Sequence, residues 1–185
     1  MTPREQLIKF FKALDAKLDK PYKLTAVGGS AMVIGYGSTR ATTDFDSLEQ
    51  GFKGLQDRFK EASKETGVNL DLDTPGGFIL LPENYEDRLD SPDLQLKNLT
   101  IRYLEKHDLA LSKIRRYNGA DLDDILWLHQ NHILDSEILV HRYIDELRPN
   151  HVAGTKRALD LNFLDMVEEL YGPTKKSEIE KRIKS

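Results

Sequence analysis

After residue 105 the period-two alternation that marks strands disappears from the chain, and helical spacing continues to its end. Strands confined to one half and helices filling the other read as an α+β fold: a mixed sheet flanked by helices, followed by a C-terminal helical region. The chain has 185 residues. That length suits one domain or two small lobes. We divide it into an α/β core over residues 1–105, a helical region packed on it over 106–172, and a polar, basic tail over 173–185.

Local signals place the elements. Thr2, Pro3 and Glu5 form a capping box with proline at the first helical position, and Leu7, Ile8, Phe11, Leu14 and Leu18 follow at helical spacing. Asp19-Lys20-Pro21 ends that helix. Tyr22 to Val27 reads as a strand, Gly28-Gly29 as a tight turn, and Ser30 to Tyr36 as a short apolar helix stopped by Gly35 and Gly37. A second strand spans Thr42 to Leu48, with Thr43, Phe45 and Ser47 on one face and Asp44 and Asp46 on the other. Phe52, Leu55, Phe59 and Ala62 predict a helix ending near Gly67. Val68 to Asp73 alternates again, Pro75-Gly76-Gly77 is a turn, and Phe78 to Leu81 and Thr100 to Leu104 are strand candidates. Helices are predicted near 107–118, 121–133, 136–148 and 153–171, with the tail a frayed helix or disordered.

Composition removes several classes of function. Lys plus Arg number 27 and Asp plus Glu 31, a formal charge of -4, so the chain carries no general basic coat for nucleic acid. It has no cysteine, which excludes disulfides, zinc–thiolate sites, thiol nucleophiles and iron–sulfur clusters. No stretch approaches the roughly 20 apolar residues that span a bilayer. The first residues carry charges every few positions, unlike a secretory signal. The expectation is a cytoplasmic protein without a membrane partner.

The chemistry concentrates between Ala26 and Asp46. Asp44 and Asp46 stand two apart on a strand and share a face. Carboxylates that close repel one another, and a cation removes the penalty. Magnesium takes oxygen ligands and commonly sits on one or two carboxylates plus substrate phosphates. A further strand can add Asp71 or Asp73, giving three carboxylates around two metal ions, which suits in-line displacement at phosphorus. Gly28 and Gly29 allow close backbone approach, Ser30 adds a hydroxyl, and the start of the following helix favours phosphate. Singly, an Asp-x-Asp is a solvated strand face and a Gly-Gly a plain turn; their combination with Arg40-x-Thr-x-Asp-x-Asp is far more specific.

That stretch, Gly-Gly-x-Ala followed by Arg-x-Thr-x-Asp-x-Asp, resembles the signature of the nucleotidyltransferase superfamily with its polymerase-beta-like fold. It is similar to the bacterial uncharacterised nucleotidyltransferase-like branch, related to abortive-infection type toxins and to aminoglycoside-type nucleotidyltransferases. Leu81-Pro-Glu-Asn-Tyr-Glu-Asp-Arg-Leu and the run from Glu105 to Ile125 resemble two further segments of that branch. The likeness covers about residues 24–128.

The resemblance implies that Gly28, Gly29 and Ser30 hold the triphosphate and that Asp44 and Asp46 hold magnesium. Asp71 or Asp73 would be the third carboxylate, with Asp71 preferred as metal ligand or base. Lys113 would reach the phosphates from the helical half, with Arg116 one turn along, although a lysine on that apolar helix face can equally snorkel past the core. Arg40 would neutralise phosphate charge or pair with an acidic neighbour. Asp121 reads as a helix cap, and Asp124 as a partner positioning Lys113 or Arg116.

The leading expectation is a magnesium-dependent enzyme that binds a nucleoside triphosphate such as ATP and passes its nucleoside monophosphate to an acceptor hydroxyl. The acceptor is an RNA end, a protein side chain or a small molecule, and one setting is a toxin with a cognate antitoxin. The rival is a non-catalytic module of the same fold, an antitoxin or nucleotide sensor. A third class is a purely structural partner protein.

Overall fold

The computed structural model of the chain describes residues 1–40, 42–49, 54–74 and 79–184. The chain forms two units, Met1–Phe78 with Leu89–Leu104, and Ile79–Arg88 with Glu105–Ser185. Among the described residues, every strand belongs to the first.

In the first unit, helix α1 (Pro3–Asp15) starts on the expected capping box: Thr2 Oγ1 accepts from the Glu5 N–H, and the Glu5 carboxylate accepts from the Thr2 N–H. Its buried face is Leu7, Phe10, Phe11 and Leu14, so Phe10 takes the place expected for Ile8, which is half-buried. Phe10 packs on Phe59 of α3 (Leu55–Thr66), and Phe11 meets Phe45 edge-on, both with ring centroids 5.0 Å apart. The polar side of α1 closes other helices. Arg4 Nε donates to the Ile34 carbonyl at the end of α2 (Gly28–Ile34), and Lys9 Nζ to the Thr66 carbonyl at the end of α3. Both cations sit where helix carbonyls lack partners.

Strands β1 (Tyr22–Ala26) and β4 (Leu99–Tyr103) pair in parallel, as do β2 (Asp44–Asp46) and β3 (Asp71–Asp73). One antiparallel bridge, Ala26 to Ser47, joins the two pairs, so the order is β4-β1-β2-β3 and the sheet is mixed. Asp15 accepts from the backbone N–H groups of Lys97, Asn98 and Leu99, which fixes the entry into β4. The second and third strands are shorter than their alternation suggested, yet the facing holds: Asp44 is exposed, Phe45 buried, Asp46 half-buried and Ser47 buried. The expected turn before α2 is itself helical, since Gly28 and Gly29 form the first turn. Phe52, the turn at 75–77 and Phe78 lie outside the described residues. Ile79 to Leu81, part of a strand candidate, form no strand.

The second unit is helical: α4 (Lys106–Leu111), α5 (Gly119–His132), α6 (Ser136–His141), α7 (Ala153–Tyr171) and α8 (Pro173–Lys184). Helix α4 is shorter than predicted. The N–H groups of Lys113 and Ile114 bond three residues back instead of four, Tyr117 takes a φ of 41°, and Asn118 starts the next helix. Asn118, not Asp121, is the cap of α5; Asp121 completes its capping box. Past α6 the backbone widens into a π-type turn, Arg142–Leu147. The tail is neither frayed nor disordered. It forms α8, which buries Ile179 and pairs Lys176 with Asp165 and Glu168 of α7 and Lys175 with Glu137 of α6. Among the described residues, no helix is long and apolar enough to cross a membrane.

Candidate functional site

The parallel register of β2 and β3 sets Asp44 opposite Asp71 and Asp46 opposite Asp73. Neighbouring strands lie about 4.8 Å apart and alternate side chains share a face, so the register assigns all four aspartates to one side of this pair. Asp44, Asp71 and Asp73 are exposed and Asp46 is half-buried. Asp73 Oδ1 accepts from the Thr74 N–H at 2.8 Å.

Asp46 reaches the start of α2. A methyl group added at Gly28 would stand 3.3 Å from Asp46 Oδ2, and Gly28 has a φ of +53°, a conformation side chains disfavour. At Gly29 the nearest atom is an ordinary 3.8 Å away, so close approach is confined to Gly28. The N-cap of α2 is Val27, which offers no side-chain bond to the first turn. That leaves the turn's N–H groups, with the positive end of the helix, beside the Asp46 carboxylate.

Ser30 is fully buried. Its Oγ donates to the Asp44 carbonyl at 2.9 Å and accepts from the Asp46 N–H at 3.2 Å. A serine hydroxyl has one proton to give. The side chain is therefore bonded to the acidic strand at both its donor and an acceptor position. Thr42 Oγ1 also donates to the Asp44 carbonyl, at 2.7 Å. Sequence reasoning missed Thr42, although it stands at the threonine of Arg-x-Thr-x-Asp-x-Asp. Arg40 is exposed in the loop after α2, its N–H bonded to Ser38 Oγ.

At the far end of the same strand, Glu49 accepts from the Thr25 N–H, Thr25 Oγ1 and Ser47 Oγ. Burial alone would raise its carboxyl pKa, but these bonds outweigh it and hold the group below its ordinary value.

Lys113 and Arg116 belong to the helical unit. Lys113 is buried, and its Nζ donates to Asp124 Oδ2 at 2.8 Å, as the expected pairing with Asp124 requires. Arg116 makes a two-point contact with Asp121, at 2.8 and 2.6 Å. Burial pushes the Asp121 carboxyl up, and Arg116, the Asn118 N–H and Lys113 together bring it below the ordinary range. The two segments that carried the more distant likeness meet each other: Arg88 of the first bonds Asp108 of the second.

Among the described residues, no group of three or more acidic or histidine side chains is gathered as a ready metal cage. The donor set still fits a hard cation, because carboxylate oxygens of paired strands are presented on one face beside a helix start. Such a site is open, with one or two carboxylates holding the ion and phosphate and water filling the rest.

No curated protein and no solved structure matches the chain. A family described as "Nucleotidyltransferase of unknown function (DUF6036)" matches residues 5–170. The chain belongs to this family of nucleotidyltransferases of unknown function.

Proposed function

We propose that the protein is a magnesium-dependent nucleotidyltransferase that moves a nucleoside monophosphate from a nucleoside triphosphate to an acceptor hydroxyl. The observation that carries this reading is the Asp46 carboxylate standing at the first turn of α2, in a strand pair that sets four aspartates on one face. A phosphate drawn to that helix start meets a like charge unless a cation lies between them. When bound, magnesium would acidify the acceptor hydroxyl and stabilise the departing pyrophosphate oxygen.

The chain's own residues divide the remaining work. Asp44 and Asp46 hold the ion. The backbone at Gly28, Gly29 and Ser30 holds phosphate oxygens, and Arg40 adds positive charge. Asp71 takes the proton of the acceptor hydroxyl as its oxygen bonds the α-phosphorus, and the bond to the β-phosphate oxygen breaks to release pyrophosphate. Lys113 and Arg116 enter the proposal through the resemblance alone, each with a carboxylate partner already in place. The acceptor class is an RNA end, a protein side chain or a small molecule. A toxin with a cognate antitoxin is one setting for such an enzyme.

A non-catalytic nucleotide-binding module is the second reading. It is favoured by the want of a closed three-acid cage among the described residues. One experiment separates the two. The full chain is incubated with each labelled triphosphate, magnesium and a cell extract, beside the Asp44→Ala/Asp46→Ala variant. Label on an acceptor with the unsubstituted protein alone supports the enzyme. Magnesium-dependent binding without transfer supports the module. Equal triphosphate affinity in both proteins removes the carboxylates from either account.

A further inference from the structure

Past Val27 the chain leaves β1 for α2, and β2 runs on beyond its neighbour. The last strand-to-strand bond there is the Val27 N–H to the Asp46 carbonyl, at 3.1 Å. The Asp46 N–H and the Asp44 carbonyl point the same way, past the end of β1. Left without partners in a half-buried setting they would destabilise the strand. Ser30 Oγ meets both, donating to the Asp44 carbonyl and accepting from the Asp46 N–H, and Thr42 Oγ1 gives that carbonyl a second donor. Two side-chain hydroxyls thus do the work of the missing strand residue.

We infer that Ser30 and Thr42 are positioning residues for the Asp44–Asp46 pair: they lock the acidic strand to the first turn of α2. Ser30 lies in that turn, and the strand it holds carries both carboxylates. The distance between cation-holding oxygens and the helix start is therefore set by this joint. The one hydroxyl proton of Ser30 is committed to a carbonyl, and Ser30 is sealed from solvent. Its effect on a ligand passes through the carboxylates.

The inference rests on the nucleotidyltransferase reading, and its test separates the two. ATP binding to the full chain is measured by calorimetry with and without magnesium, and exchange of the Asp46 amide by NMR. Both are repeated for Ser30→Ala and Thr42→Val. Ser30→Ala is expected to cut the magnesium-dependent gain in ATP affinity about tenfold, leave magnesium-free affinity within about twofold, and speed Asp46 amide exchange about tenfold. Thr42→Val keeps its shape at a partly exposed position and is expected to act in the same direction by about threefold. It decides the matter if Ser30→Ala does not fold. Equal losses with and without magnesium would show direct phosphate contact and overturn the inference. So would an unchanged magnesium gain in the variants, which leaves the hydroxyls a purely structural part. If the unsubstituted protein shows no magnesium-dependent ATP binding, the functional reading itself fails and takes the inference with it.

Discussion

Arg88 holds Asp108 by two N–H groups, Nε to Oδ2 at 2.9 Å and Nη2 to Oδ1 at 3.2 Å, and the Asp108 side chain is fully buried. Arg142 Nη1 adds a third bond, to Oδ1 at 3.0 Å. Arg88 also reaches Glu146, so one arginine ties the 79–88 segment to α4 and to the turn after α6. Breaking a buried pair from one side strands the other charge and costs about 3–5 kcal/mol. Arg88→Ala leaves the buried Asp108 with Arg142 alone and should lower the unfolding free energy of the helical unit toward that order. Asp108→Ala should cost less, because Arg88 keeps Glu146 and Arg142 keeps Glu105. Equal and small losses in urea titrations would show that the cluster is incidental to stability.

Glu105 predicts a pH dependence for the same unit. Burial pushes its carboxyl up, but bonds and charge from His107 and Arg142 outweigh burial and hold it at about 2, against an ordinary 4.5. A carboxylate with a depressed folded pKa adds stability that is complete above its unfolded value. That stability disappears as the pH falls from 4.5 toward about 2. Unfolding free energy followed across this window should fall steeply for the natural chain and less steeply for Glu105→Gln. Identical slopes in the two proteins would remove Glu105 as the cause.

Gly35 closes α2 under the ring of Tyr103. A Cβ placed there would lie 2.5 to 2.9 Å from three ring atoms, too close for any real contact. The ring has little freedom to yield, since Tyr103 is a buried β4 residue and meets Tyr36 edge-on at 5.5 Å. Gly35→Ala should cost about 1–3 kcal/mol through overpacking, despite the better helix propensity of alanine. At Gly37 nothing stands within 4 Å of an added Cβ, but its φ of +73° makes a side chain strained there too. Thermal melts of both variants test the difference in mechanism: Tyr103→Ala should relieve the Gly35→Ala defect and leave that of Gly37→Ala unchanged.

The elements legible in the sequence are those whose cause is local. The capping box at Thr2, the left-handed cap at Gly67, the alternation through Asp44 to Ser47 and the helix over 153–171 each follow from neighbours along the chain. What escaped depends on partners distant in sequence. Helix α8 is held by acids on α6 and α7, so its own polar composition suggested a loose tail. Asp108, in a segment noted for its likeness, gives no sign in sequence of the arginines 20 and 34 residues away that bury it. The Asp-x-Asp pair was visible, as was its glycine turn. The bond from Ser30 to the Asp44 carbonyl was not, because a serine after two glycines looks the same whether or not it meets a strand that returns 14 residues later.

The choice between Asp71 and Asp73 turns on what each carboxylate already does. Both are exposed, so depth in the apolar alternation, which favoured Asp71 from sequence, does not separate them. Nor does register, since Asp71 lies opposite Asp44 and Asp73 opposite Asp46. The difference is that Asp73 spends one oxygen on the Thr74 N–H at the end of its strand. Asp71 is therefore the better candidate to take a proton beside the ion-holding pair. On the proposed function, Asp71→Asn should reduce labelled transfer about a hundredfold, the usual size of a general-base contribution, while Asp73→Asn reduces it less than about threefold. The split between kcat and KM tells a base from a ligand. Loss in kcat at constant KM for the triphosphate assigns Asp71 the proton. A rise in KM with little change in kcat assigns it to binding the cation. The reverse ranking, with Asp73→Asn the damaging change, would move the third carboxylate one register step along β3.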